Sequence, residues 1–236
     1  MEQIYTIPVN EAFEKGAENQ GRGCPFCRLW RTLELHELDL ILGASMMEPD
    51  VRKKTNEKGF CPDHYGKMMK RGKRLPLSLI LQSHLPEIDS ALKKPGIAPA
   101  LAGGESSKGL KKLSESCYIC ERAEANFAKM IETAAILWET DPDFRYKCAA
   151  QPYFCLPHFS RFLSVAKGQM KGKTFGEFYK AVYKKESAVL DTLQDKIDRF
   201  AKSFDYRYAK EPWDDAKKAI EDTIPVLCGT DCSDDE

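Results

Sequence analysis

Eight residues in this chain have the types and spacing to hold metal. Cys24-Pro25-Phe26-Cys27 is followed, after 33 intervening residues, by Cys61-Pro62-Asp63-His64. Cys117-Tyr118-Ile119-Cys120 is followed, after 34, by Cys155-Leu156-Pro157-His158. Taken in order, Cys24, Cys27, Cys61 and His64 offer three thiolates and one imidazole, and Cys117, Cys120, Cys155 and His158 offer the same. Each set completes a tetrahedral Zn²⁺ shell, and a filled shell leaves no position for substrate or a reactive water, so the chemistry indicated is structural. An Fe–S cluster is the alternative cofactor, because soft thiolates also hold iron. Pairs from different halves sharing one metal would satisfy the same ligand count, but the recurrence of the whole Cys-x-x-Cys…Cys-x-x-His set favours local pairing.

A competing chemistry is thiol redox. Cys24 and Cys27 resemble a glutaredoxin-type dithiol, so a thiol-disulfide oxidoreductase or redox sensor is the functional alternative. That reading wants a strand before the motif, and the preceding Glu18 to Gly23 is polar and glycine-bearing. No Gly-rich phosphate loop, nucleophile elbow or metalloprotease helix occurs, which leaves an enzymatic role unsupported. Cys148, Cys228 and Cys232 remain outside the two sets. Cys148 reads as core filler and the other two as tail thiols. His36 and His84 lack partners at ligand spacing and read as ordinary helix residues. Asp50 with Arg52 and Asp143 with Arg145 are candidates to orient the ligating imidazoles, against the plainer reading of helix-start carboxylates and surface ion pairs.

Lys+Arg and Asp+Glu balance at 36 each, so no global field draws the chain to nucleic acid or to an anionic membrane. Basic residues do follow each Cys-x-x-His pair (Lys67, Lys70, Arg71, Lys73 and Arg74; Arg161, Lys167, Lys171 and Lys173), and a solvated helix face is the favoured account of them. The first residues lack the basic and apolar regions of a secretory signal, no run is long enough to span a membrane, and the odd count of nine cysteines suits metal ligation in a reducing compartment. These features point to a cytoplasmic protein.

The elements that must position the ligands form an internal repeat. An offset of 93 residues lays Glu48-Pro49-Asp50 over Asp141-Pro142-Asp143 and Cys24/Cys27 over Cys117/Cys120; with one insertion, Phe60-Cys61 falls on Phe154-Cys155 and Lys67 on Arg161. Each ligand pair sits where a helix should begin, and apolar residues then recur at helical spacing: Trp30, Leu33, Leu38, Ile41 and Leu42 in one half, Ala123, Phe127, Ile131, Ala134 and Trp138 in the other. Strand patterns are scarce, so the expected class is mainly α, with duplicated helical units each stapled by a Cys-x-x-Cys…Cys-x-x-His zinc site. The expected organisation is a first unit over 1–92, a flexible linker over 93–116, a second unit over 117–208, and a C-terminal helix ending near Pro225 with an acidic tail over 209–236.

Ile4-Tyr5-Thr6-Ile7-Pro8-Val9-Asn10-Glu11-Ala12-Phe13, Cys-Pro-Phe-Cys, Ser45 to Arg52, Gly59 to Tyr65 and the second Cys/His set together resemble an uncharacterised bacterial family with paired Cys-x-x-Cys and Cys-x-x-His motifs. The resemblance covers most of the chain. It implies a cytosolic protein and brings no activity or catalytic residue with it. The expectation is therefore a non-enzymatic zinc protein with a scaffold, interaction or regulatory role, and a protein as its partner.

Overall fold

The computed structural model describes residues 3–18, 23–93, 99–208 and 212–229. Among these, every regular element is a helix, as the periodicity requires. The α-helices are α1 (Thr6–Glu18), α2 (Pro25–Ile41), α3 (Pro49–Lys58), α4 (Pro62–Lys70), α5 (Arg74–Lys93), α6 (Pro99–Glu115), α7 (Tyr118–Thr140), α8 (Pro142–Ala150), α9 (Leu156–Gln169), α10 (Gly172–Lys202) and α11 (Ala219–Cys228). Proline stands in the first turn of α3, α4, α8 and α9, where its missing N–H costs nothing. Gly72, at φ 68, makes the left-handed turn between α4 and α5.

Two compact units result, and they do not coincide with the two units expected from the sequence. One comprises Met1–Arg31 with Phe127–Glu236, and the other Thr32–Asn126, so the division falls within α2 and within α7. The physical reason is helix length. At 1.5 Å per residue, the 17 residues of α2 span about 25 Å and the 23 of α7 about 35 Å, so each carries the chain far from the Cys-x-x-Cys pair at its start.

The first unit is built on aromatic rings. Phe13, Phe26, Phe144, Phe154, Phe162 and Phe178 are fully buried, with centroid separations such as 4.7 Å for Phe13–Phe144 and 4.9 Å for both Phe26–Phe162 and Phe162–Phe178. Burying one such ring stabilises by about 1.5–3 kcal/mol, and truncating it to alanine costs about 3–5 kcal/mol. In the second unit Leu38, Ile41, Leu42, Met68, Leu77, Ile80 and Ile119 make the core.

Residues 93–116 differ from the flexible linker that their Pro and Gly content suggests. Most of them form α6, which packs on α5 and α3. Leucines at 110 and 113 and ion pairs Lys108–Glu105 (3.0 Å) and Lys111–Glu115 (3.7 Å) at helical spacing outweigh Gly103-Gly104, each of which costs about 1 kcal/mol. The final helix starts later than expected and runs through Pro225 to Cys228. Residues 94–98 and the tail beyond Gly229, Cys232 included, lie outside the described residues.

Candidate metal centres

All four ligand pairs occupy the same local position. Cys24, Cys61, Cys117 and Cys155 directly precede α2, α4, α7 and α9, and Cys27, His64, Cys120 and His158 stand three residues on, in the first turn. Each leading cysteine's carbonyl accepts the first intrahelical bond, from Arg28, Tyr65, Glu121 and Phe159 N–H respectively. A helix start carries the positive end of the dipole, which favours thiolate over thiol.

The pairs meet crosswise. Cys24, Cys27, Cys155 and His158 form one group, in the first unit; Cys61, His64, Cys117 and Cys120 form the other, in the second. The local pairing that the sequence favours is thereby overturned, although the eight residues converge and each group keeps three cysteines and one histidine.

The geometry fits a four-coordinate ion. With metal–sulfur bonds of about 2.3 Å and metal–nitrogen bonds of about 2.0–2.1 Å, a tetrahedron has edges of roughly 3.8 Å between sulfurs and roughly 3.5 Å between sulfur and nitrogen. In the first group Cys27 Sγ lies 3.6 Å from Cys155 Sγ, and His158 Nδ1 lies 3.1, 3.4 and 3.8 Å from the sulfurs of Cys155, Cys27 and Cys24. In the second, Cys61 Sγ lies 3.9 Å from Cys120 Sγ, and His64 Nδ1 lies 3.1, 3.3 and 3.4 Å from Cys61, Cys117 and Cys120. These cysteines are free thiols, far from the roughly 2.05 Å of a disulfide.

Within each group the side chains perturb one another strongly. Burial opposes protonation of His64, yet the contacts with Cys117 and Glu34 push it up to about 10. Burial works against ionisation of Cys117, and His64 nonetheless draws that thiol down to about 6. In the first group, Cys155 and Cys24 pull Cys27 far below the usual thiol range, while burial holds Cys24 well above it. A divalent ion bound by these sulfurs would displace the protons that burial favours on them.

Residues to which sequence reasoning gave no part in the site shape the groups. Glu34 Oε1 lies 3.0 Å from His64 Nε2, as an ion contact rather than a well-aligned hydrogen bond, and both its oxygens accept from Lys67 Nζ at 2.8 Å. Lys67 also pairs with Asp63 at 2.9 Å, so the ammonium takes the cation position among Glu34, Asp63 and His64. His158 instead meets the Phe127 ring, at 5.1 Å between centroids. Gly229, at φ 84, closes on the first group so tightly that a Cβ there would lie 3.3 Å from Cys27 Sγ. The signal for Glu34 was present: it stands on the apolar face of α2, between Trp30 and Leu38, where a carboxylate needs a partner.

The proposed orienting residues do not serve. The side chain of Asp141 caps α8 by accepting from Asp143 N–H, Arg145 donates to the carbonyls of Trp138 and Glu139, and Asp50 is an exposed first-turn carboxylate. Cys148 is buried on α8, outside both groups, and Cys228 is exposed at the end of α11. His36 is exposed on α2, and His84 is buried on α5 with Nδ1 2.9 Å from the Asn56 carbonyl.

Comparison with known families agrees with the motifs. The match to a family of unknown function, DUF6062, extends over residues 1–234. The chain belongs to that family. No curated protein and no solved structure matches it. Family membership therefore supplies no activity, and no described helix is long and apolar enough to cross a membrane.

Proposed function

We propose that this chain is a non-enzymatic zinc protein of the cytoplasm, in which two Zn²⁺ ions rivet helix starts together and the helical surface serves a scaffold, interaction or regulatory role. The observation that carries the reading is the pair of Cys₃His groups with edge lengths matching a tetrahedral ion. Four protein ligands saturate each ion, which disfavours catalysis at the metal. Within each group the ligands come from segments about 130 residues or more than 50 residues apart, so each ion closes a long loop and contributes to folding. Balanced charge favours a protein as partner over nucleic acid.

The redox reading of Cys24 and Cys27 is weakened by their burial, at 1% and 5% exposure, within a four-ligand group. Metal analysis of protein purified without added metal tests the proposal. Two zinc per chain and a colourless solution are expected; brown protein carrying iron and sulfide, or folded metal-free protein, would refute it.

A further inference from the structure

The two groups differ in how they meet solvent. In the first, Cys24, Cys27 and Cys155 are 1%, 5% and 0% exposed. His158 is partly exposed, but the end of α11 lies against the sulfurs: a Cβ on Gly229 would approach Cys27 Sγ to 3.3 Å and Cys155 Sγ to 3.5 Å, and φ 84 suits the glycine that allows this approach. In the second, Cys117 and His64 are buried, but Cys61 and Cys120 are both partly exposed, with their sulfurs 3.9 Å apart. In these two partly exposed cysteines the sulfurs are already neighbours and require only about 2 Å of approach to bond.

We infer that the second group is the protein's oxidant-responsive site: hydrogen peroxide joins Cys61 to Cys120 as a disulfide and the metal leaves, while the first group, its three cysteines buried, keeps its own. The inference rests on the metal reading above. One thiolate attacks the peroxide, the O–O bond breaks, and a sulfenic acid forms with release of water. The other thiolate then attacks that sulfur, the S–S bond forms, and a second water leaves. Two sulfurs lose two electrons in all, hydrogen peroxide gains them, and two protons come from solvent. Zn²⁺ departs without changing oxidation state, because the loss of two of its four ligands leaves a weak site.

The experiment treats the two-metal protein, carrying Cys228→Ser and Cys232→Ser to remove tail thiols, with hydrogen peroxide. Released metal is followed with a chromogenic chelator, and disulfides are mapped by peptide mass spectrometry. One metal equivalent should leave several times faster than the other, with Cys61–Cys120 as the first disulfide, and thiol reductant plus zinc should restore it. Metal leaving both groups at one rate, no release, or a map led by Cys24–Cys27 or Cys117–Cys120 would overturn the inference. Protein that carries no metal before peroxide is added would defeat the metal reading instead, and the inference with it. Alkylation with a small maleimide gives an independent readout, with Cys61 and Cys120 expected to react before Cys24, Cys27 and Cys155.

Discussion

Glu34 faces His64 at 3.0 Å, whereas the position 93 residues further on holds Phe127, whose ring faces His158. The same exchange recurs one step out: Lys67 bonds Glu34, and Arg161 lies over the Phe127 ring at 5.1 Å. A carboxylate behind an imidazole raises its basicity and fixes its orientation. Glu34→Gln should therefore weaken metal binding at the second group by about 10–100-fold and leave the first unchanged. Chelator competition on the two-metal protein measures this, and equal weakening of both sites would reject the assignment.

Glu186 on α10 is 6% exposed and accepts a hydrogen bond from Phe154 N–H at 3.0 Å. Burial raises its carboxyl to about 7 against the opposing pull of that bond. A folded pKa above the unfolded one means the native state holds the extra proton, so this group's stability contribution is full below about pH 4.5 and is lost as pH rises through about 7. Glu186→Gln removes the charge and keeps an acceptor. It should be near neutral at pH 5 and stabilising by on the order of 2–3 kcal/mol at pH 8, as read from denaturant midpoints.

Gly16 on α1 packs against Gln151, whose Nε2 donates to the carbonyls of Phe13 (2.6 Å) and Lys147 (2.8 Å). A Cβ at position 16 would lie 2.0 Å from Gln151 Oε1. Gly16→Ala should destabilise by about 1–3 kcal/mol despite alanine's better helix propensity. Gly66→Ala on α4, where a Cβ meets nothing within 4 Å, should instead stabilise by up to about 1 kcal/mol. Equal effects in urea melts would contradict this packing.

Gly229→Val should open the first group, because the added side chain can neither adopt φ 84 without strain nor fit beside Cys27 and Cys155. Exchange of the first metal with added ¹¹³Cd²⁺ should accelerate several-fold while the second keeps its rate. An unchanged first rate would remove α11 from its role as a cover.

Much of this molecule is legible in the chain. Proline and apolar spacing place the helix starts, and ligand pairs at those starts follow from Pro25, Pro62 and Pro157. The crossed pairing was legible only through lengths. After Cys27 the remaining 14 residues of α2 lead away by about 21 Å, and the 10 residues of α3 return about 15 Å, so the helices by themselves leave Cys61 short of Cys27. Linear order along the chain hides that arithmetic. Glu34 hid within an otherwise apolar face, and the contact of Gly229 with two sulfurs, some 70 and 200 residues away, has no local signature in the sequence.

On the metal reading, each ion joins a Cys-x-x-Cys pair from one half of the sequence to a Cys-x-x-His pair from the other. Proton–cadmium correlation spectra of the ¹¹³Cd-loaded protein test it directly. One cadmium resonance should couple to the β-protons of Cys24, Cys27 and Cys155 and the other to those of Cys61, Cys117 and Cys120. A resonance coupled to Cys24, Cys27 and Cys61 together would contradict the account.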